Sequence, residues 1–167
     1  MLFKYLYVLI ILTVFLGCSK EPQVLHVKNL YDVLSTLHVD KKETKILSNE
    51  MILFSSQLKD RYDLVKPPLY HNFLVNIGVK KRGLCWHFAY DMLSSAKKLN
   101  LKNFDYYIGG ANINDYWKEH NSLIVTCKGC SFVEGIVLDP WRNSGDLYFS
   151  KVKNDKNYSW TQRGGLR

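Results

Sequence analysis

Arg82-Gly83-Leu84-Cys85-Trp86-His87-Phe88-Ala89 is the stretch on which the fold turns. A glycine-bounded turn, Gly78 to Gly83, leads into apolar residues at Cys85, Phe88, Ala89, Met92, Leu93, Ala96 and Leu99. Steps of three and four mark one face of an α-helix. The spacing predicts a helix that opens at Cys85 and carries this cysteine on its inward face, in the first turn. Upstream, Val27, Leu30, Tyr31, Leu34 and Leu37 form one helical stripe, and Leu47, Met51, Phe54, Leu58, Tyr62 and Val65 a longer one. Lys66-Pro67-Pro68 stops the second, because proline lacks an N–H and forces the residue before it out of the helical region. Leu69 to Ile77 reads as a short helix or as irregular chain. Beyond Asn100 the pattern changes to strands at Phe104 to Ile108, Ser122 to Thr126, Phe132 to Leu138 and Leu147 to Val152. Breaks are expected at Gly109-Gly110-Ala111-Asn112 and at Asn143-Ser144-Gly145-Asp146. Helices first and antiparallel strands second predict an α+β fold, an N-terminal helical layer packed on an antiparallel sheet.

The chain of 167 residues is about one domain long, and 47% apolar with 14% aromatic residues is ample for a packed core. The net charge of +8 is spread over short clusters, Lys41-Lys42, Lys80-Lys81-Arg82 and Lys97-Lys98, as on a solvated lysine-rich surface. There is no zinc-finger spacing and no phosphate-cradling glycine loop, so nucleic acid is not an expected partner.

Residues 1–17 carry one positive charge, Lys4, and then a mostly apolar run from Tyr5 to Leu16. The run is shorter than the roughly 20 residues a membrane-spanning helix needs and has the form of a secretory signal. It ends in Phe15-Leu16-Gly17-Cys18, which resembles a bacterial lipobox, and the chain turns polar at Ser19-Lys20-Glu21-Pro22. That resemblance implies a signal peptide over 1–17, acylation of Cys18, a lipidated tether over 18–26 and a single domain over 27–167. It also implies attachment to the membrane by the lipid, on the periplasmic face of a bacterial cell envelope. Export changes the cysteine arithmetic. Cys85, Cys127 and Cys130 remain, an odd number where thiols tend to oxidise. Cys127-Lys128-Gly129-Cys130 reads as a disulfide at a hairpin tip or as two free thiols, ahead of a redox or zinc site, and Cys85 is the expected unpaired thiol.

If the hairpin is centred between Lys128 and Gly129, Cys127 stands opposite Cys130, His120 opposite Val137 and Asp139 opposite Lys118. His120 and Asp139 then share a face as diagonal neighbours, about 7–8 Å apart at the backbone. Slippage by one residue would put them on opposite faces. A cysteine in the first turn of a helix, an imidazole beside it and a carboxylate on the imidazole's far nitrogen are the parts of a nucleophilic thiol site. The helix end favours the thiolate, the ring takes and returns the proton, and the carboxylate orients the ring. We assign Cys85 as nucleophile, His120 as general base and acid, and Asp139 as orienting carboxylate. His87 is the rival base, but two positions after Cys85 on a helix it points elsewhere. Asn121 is a weaker candidate than Asp139 for orienting His120. The oxyanion donors are the backbone N–H of Cys85 or Trp86 with an upstream polar group, among Gln57, Tyr70, His71, Asn72 and Asn76. His26 and His38 read as surface or packing residues, and no metal or organic cofactor is called for.

The order Cys85, His120, Asp139-Pro140-Trp141, with 35 residues across the first interval and 19 across the second, resembles the transglutaminase-like cysteine peptidase superfamily. In that family a cysteine opens a helix packed on an antiparallel sheet, the histidine begins a strand and the aspartate ends the next. The resemblance covers residues 83 to about 150 and implies a transglutaminase-like, papain-like core. One departure is Asn121-Ser122, where the family often has a small residue and an aromatic. The implied activity is hydrolysis or acyl transfer at an amide bond of a peptide, protein or peptidoglycan. The alternatives are a peptidoglycan amidase or endopeptidase of the CHAP or NlpC type, and a non-catalytic envelope module that binds a partner.

Overall fold

The computed structural model describes residues 21–163, with side chains from His26 onward. The signal segment over 1–17 and the acylation site Cys18 lie outside the described residues. Among the described residues four α-helices come first: α1 (Glu21–Ser35), α2 (Lys41–Arg61), α3 (Pro68–Asn76) and α4 (Cys85–Lys98). Five strands follow: β1 (Phe104–Ala111), β2 (His120–Cys127), β3 (Ile136–Asn143), β4 (Asp146–Lys151) and β5 (Thr161–Gln162). They form one antiparallel sheet in the order β4-β3-β2-β1-β5. The architecture is α+β, helices before strands. Helix α1 begins within the stretch expected as a tether, and the segment 69–77 resolves into helix α3. No helix among the described residues is long and apolar enough to cross a membrane.

Local chemistry explains the helix ends. Asp40 caps α2 by accepting from the Glu43 N–H at 2.8 Å, and Lys59 and Arg61 sit in its last turn, where the helix dipole favours cations. The start of α4 is built differently. Gly83 has φ +121°, and a Cβ there would fall 2.1 Å from His71 Nε2, so only glycine lets the chain pass. His71 is fully buried beneath this turn. Its Nδ1 accepts from the Val65 N–H at 3.2 Å, which leaves Nε2–H to donate to the Arg82 carbonyl at 2.8 Å. The ring therefore clamps the segment that follows α2 to the turn that delivers Cys85.

The sheet is covered on both faces. Leu123, Val125, Ile136 and Leu138 pack against Leu30, Leu34, Leu47, Met51, Leu58, Phe88 and Met92 of the helices. On the other face Ala111, Ile124 and Val137 pack against Val152 and Trp160 of the C-terminal segment. The β3–β4 connection is the expected two-residue turn. Ser144 (φ 53°) and Gly145 (φ 96°) both occupy the left-handed region that hairpin turns favour, and Ser55 Oγ donates to the Gly145 carbonyl at 2.6 Å.

Three expectations for the strands are corrected. Gly109-Gly110 does not break β1, which runs on to Ala111. The glycines serve packing: a Cβ at Gly109 would lie 2.8 Å from Ile124 Cγ1 and 3.1 Å from Trp160 Cε3. Phe132–Glu134 is a 3₁₀ turn, so β3 starts later than expected and continues through Asp139-Pro140-Trp141 to Asn143. The β2–β3 register consequently differs from a tight hairpin at Lys128-Gly129. Leu123 pairs with Leu138, Ile124 with Val137 and Val125 with Ile136. Cys127 and Cys130 form a disulfide with a Cα–Cα distance of 5.2 Å, and their turn leans on β1 through Lys128 N–H to the Asn103 carbonyl and Gly129 N–H to Asp105. The register is displaced by four residues, an even number. His120 therefore stays on the same face as Asp139, approached from the other diagonal.

Candidate active site

Cys85 is the first residue of α4, half-buried, and a free thiol. His120 is the first residue of β2, and Asp139 is the fourth of β3; their side chains are 2% and 1% exposed. His120 Nε2 and Asp139 Oδ2 are 2.7 Å apart. That contact commits one ring nitrogen to the carboxylate. Nδ1 is buried with no conventional hydrogen-bond partner, and Cys85 is close enough to affect the ring's proton. The Cys85 sulfur also lies 4.0 Å from the Glu119 carbonyl oxygen and 3.9 Å from Asn121 Nδ2. The three residues assigned from the sequence are thus brought to one place, at the end of β2 beneath the start of α4.

Electrostatics fix the state of the ring. Burial alone would strip its proton, but the charge and hydrogen bond of Asp139, with a further contribution from Cys85, outweigh burial and push His120 up to about 9. A wider network holds Asp139 in place. Arg142 donates through Nε to Asp139 Oδ2 at 3.1 Å, and through Nη1 and Nη2 to the two oxygens of Asp155 at 3.1 and 2.7 Å. Asp155 also accepts from Trp160 Nε1 at 2.9 Å and from the Asn157 N–H at 3.0 Å. Burial would raise the Asp155 pKa, but the Arg142, Trp160 and Asn157 bonds hold it below the usual carboxylate value. The Arg142 guanidinium lies between two rings, 3.8 Å from the Tyr148 centroid and 4.8 Å from that of Tyr158.

Aromatic rings wall the imidazole. Trp141, Tyr158 and Trp160 lie 4.7, 4.6 and 5.5 Å from it, centroid to centroid. Trp141 is itself held by its Nε1–H donating to Asn72 Oδ1 of α3 at 3.0 Å. Excluding water in this way strengthens the charge interactions inside.

His87 has a different task from a catalytic base. Its Nδ1 accepts from the N–H groups of Gly83 and Leu84 at 3.2 and 3.1 Å, capping α4. Burial, with the Arg82 charge, pushes it down to about 4 and keeps the ring neutral, as an acceptor must be. Among the upstream candidates for oxyanion donor, Gln57, Tyr70 and Asn76 are exposed and His71 is spent on the clamp described above. Asn72 reaches the site's surroundings, but through Trp141. His26 packs on Phe149 and bonds the Leu147 carbonyl, and His38 is exposed.

Arg142, Asp155, Asn121 and Arg163 are the parts of the site that sequence reasoning missed. The first two lie 13 residues apart, the second of them in a loop, with no periodicity to join them. Neighbouring strand residues face opposite ways, which ranks Asn121 below Asp139 as a partner of His120, yet its side-chain amide lies 3.9 Å from the Cys85 sulfur. Among the described residues no group of three or more His, Cys, Asp or Glu side chains is arranged to hold a metal ion. No protein-family model, curated protein or solved structure matches this chain.

Proposed function

We propose that this protein is a cysteine hydrolase or acyltransferase acting on an amide bond through Cys85, His120 and Asp139. The observation that carries the reading is the buried 2.7 Å contact of His120 Nε2 with Asp139, which leaves Nδ1 for a free thiol at a helix N-terminus. With His120 pushed up to about 9, the ring is protonated at neutral pH, and in the proposed reaction it holds the proton of the Cys85–His120 pair while Cys85 attacks as the thiolate. The thiolate adds to the carbonyl carbon of the substrate. The imidazolium then protonates the departing amine, leaving an acyl thioester on Cys85. Water or an amine, activated by the now neutral His120, releases the acyl group. Asp139 holds the ring's orientation and its charge in every step.

A transglutaminase-like core belongs to this proposal. It is supported by the helix-opening cysteine packed on an antiparallel sheet, the histidine that opens β2 and the aspartate within β3. The acyl donor is a peptide, protein or peptidoglycan amide. The lipobox-like Leu16-Gly17-Cys18 supports a lipid anchor that holds the enzyme at the periplasmic face of the envelope. A thiol-directed amide probe tests the reaction: it should label the wild type and not Cys85→Ala. Equal labelling of the two, or none of either, refutes the proposal. Metabolic labelling with a radioactive fatty acid tests the anchor, and an unlabelled protein in the soluble fraction refutes it.

A further inference from the structure

Asn121 deepens the reading just given and rests on it. Arg163 Nη1 lies 2.5 Å from Asn121 Oδ1. A guanidinium has only donors, so the atom facing it must be the amide oxygen, and the NH2 group is turned toward Cys85 Sγ at 3.9 Å. The clamp is itself held. Arg163 Nη2 pairs with Glu119 Oε1 at 2.6 Å, and the Arg163 backbone N–H donates to the Ile108 carbonyl at 2.9 Å. Asn121 is 5% exposed, so its orientation is set by protein rather than by water.

At 3.9 Å the amide is too far from the sulfur for a strong bond to it, in the thiol or the thiolate form. The amide therefore keeps donor capacity beside the nucleophile. When Sγ bonds to a carbonyl carbon, the π electrons move to the carbonyl oxygen, which comes to rest about 3 Å from the sulfur, within the reach a donor needs. On the helix side, the Cys85 and Trp86 N–H groups lie in the first turn of α4, where backbone donors have no carbonyl of their own helix to bind. The neighbouring Gly83 and Leu84 N–H groups are already satisfied by His87. We propose that Asn121 Nδ2 is the side-chain donor of the oxyanion hole, oriented by the Arg163–Glu119 clamp and acting with a backbone N–H of the α4 first turn. The side-chain donor then comes from the residue after the histidine and not from any upstream position.

Two reactions of Cys85 separate this role from a structural one. Acylation by p-nitrophenyl acetate passes through an oxyanion: the thiolate adds, the tetrahedral intermediate collapses and p-nitrophenolate leaves, giving an acetyl thioester. Alkylation by iodoacetamide displaces iodide and forms no oxyanion. With Cys85→Ser subtracted as background, Asn121→Ala should slow acylation by about 10²-fold and change alkylation by less than about threefold. Asn121→Asp, of nearly the same shape but with an acceptor in place of the donor, should lose as much or more. Acylation within threefold of wild type in both variants overturns the assignment. So does an equal fall in both reactions, or failure of both variants to fold, since either makes Asn121 a structural residue. A wild type that iodoacetamide alkylates at Cys85 but the ester does not acylate overturns the nucleophilic reading of the site itself, and this inference with it.

Discussion

Replacing Asp139 by asparagine removes a charge from the interior while nearly preserving shape. The rise of His120 from 6.5 to about 9 corresponds to about 3 kcal/mol of net preference for the charged ring. Asp139 supplies the largest favourable share, through its charge and the 2.7 Å bond. At pH 7 that preference keeps the imidazolium ahead of the neutral ring by about 100 to 1. Without the carboxylate, burial dominates and the ring's value falls below 6.5, so at most about a quarter of molecules carry the charge at pH 7. An amide N–H turned toward Nε2 would further leave the proton on Nδ1, the wrong tautomer to accept one from the thiol. A thiol with no cation beside it is only about 3% ionised at pH 7, so alkylation of Cys85 should slow by up to about thirtyfold. The assay is the rate of iodoacetamide incorporation, followed by intact mass from pH 5 to 10. Wild type should react faster than Asp139→Asn at neutral pH, where its ring is charged. Asp139→Asn should climb with pH as an ordinary thiol does. Superimposable profiles in two folded proteins would refute the ion-pair account of the site.

Three further outcomes follow from the same contacts. The folded value of His120 lies above its unfolded one, so the stability it supplies is complete below about pH 6.5 and is lost as pH rises through about 9; thermal midpoints should decline across that window, and less in His120→Gln. His87 has the opposite sign: its folded value near 4 means that its contribution is complete above about pH 6.5 and is lost as pH falls toward 4. In urea titrations His87→Ala should cost about 1–2 kcal/mol at neutral pH by uncapping Gly83 and Leu84, and should flatten the acid side of the stability curve. Arg142→Met strands two buried carboxylates and should cost about 3–5 kcal/mol by urea unfolding, far more than an exposed charge would.

Much of the fold was legible because periodicity is a local property. The apolar stripes placed α4 to within a residue and α2 to within two turns, and the change of period after Asn100 placed the sheet. Where the reading failed, glycines and turns were responsible. Gly109-Gly110 looks like a break in one dimension, but Ile124 and Trp160 press on the strand there and leave no room for a side chain. Lys128-Gly129 looks like a hairpin centre and is a turn, but the 3₁₀ segment after it adds chain before pairing begins. The shared face of His120 and Asp139 survived this error because strand faces alternate with period two and the displacement was even.

By itself the sequence determined the helix that Cys85 opens and two strands at whose borders His120 and Asp139 lie. Short-range steric and hydrophobic rules suffice for that. Tertiary structure alone decided how the three are coupled and charged. The two rings and the Asp155 carboxylate that hold Arg142, the aromatic wall around His120 and the Arg163 clamp on Asn121 come from segments far apart in the chain. They meet only when the C-terminal residues 152–163 fold over the face of the sheet that the helices leave free. That closure buries His120 with Asp139, where their charge and hydrogen bond act with little screening and outweigh the cost of burying the ring.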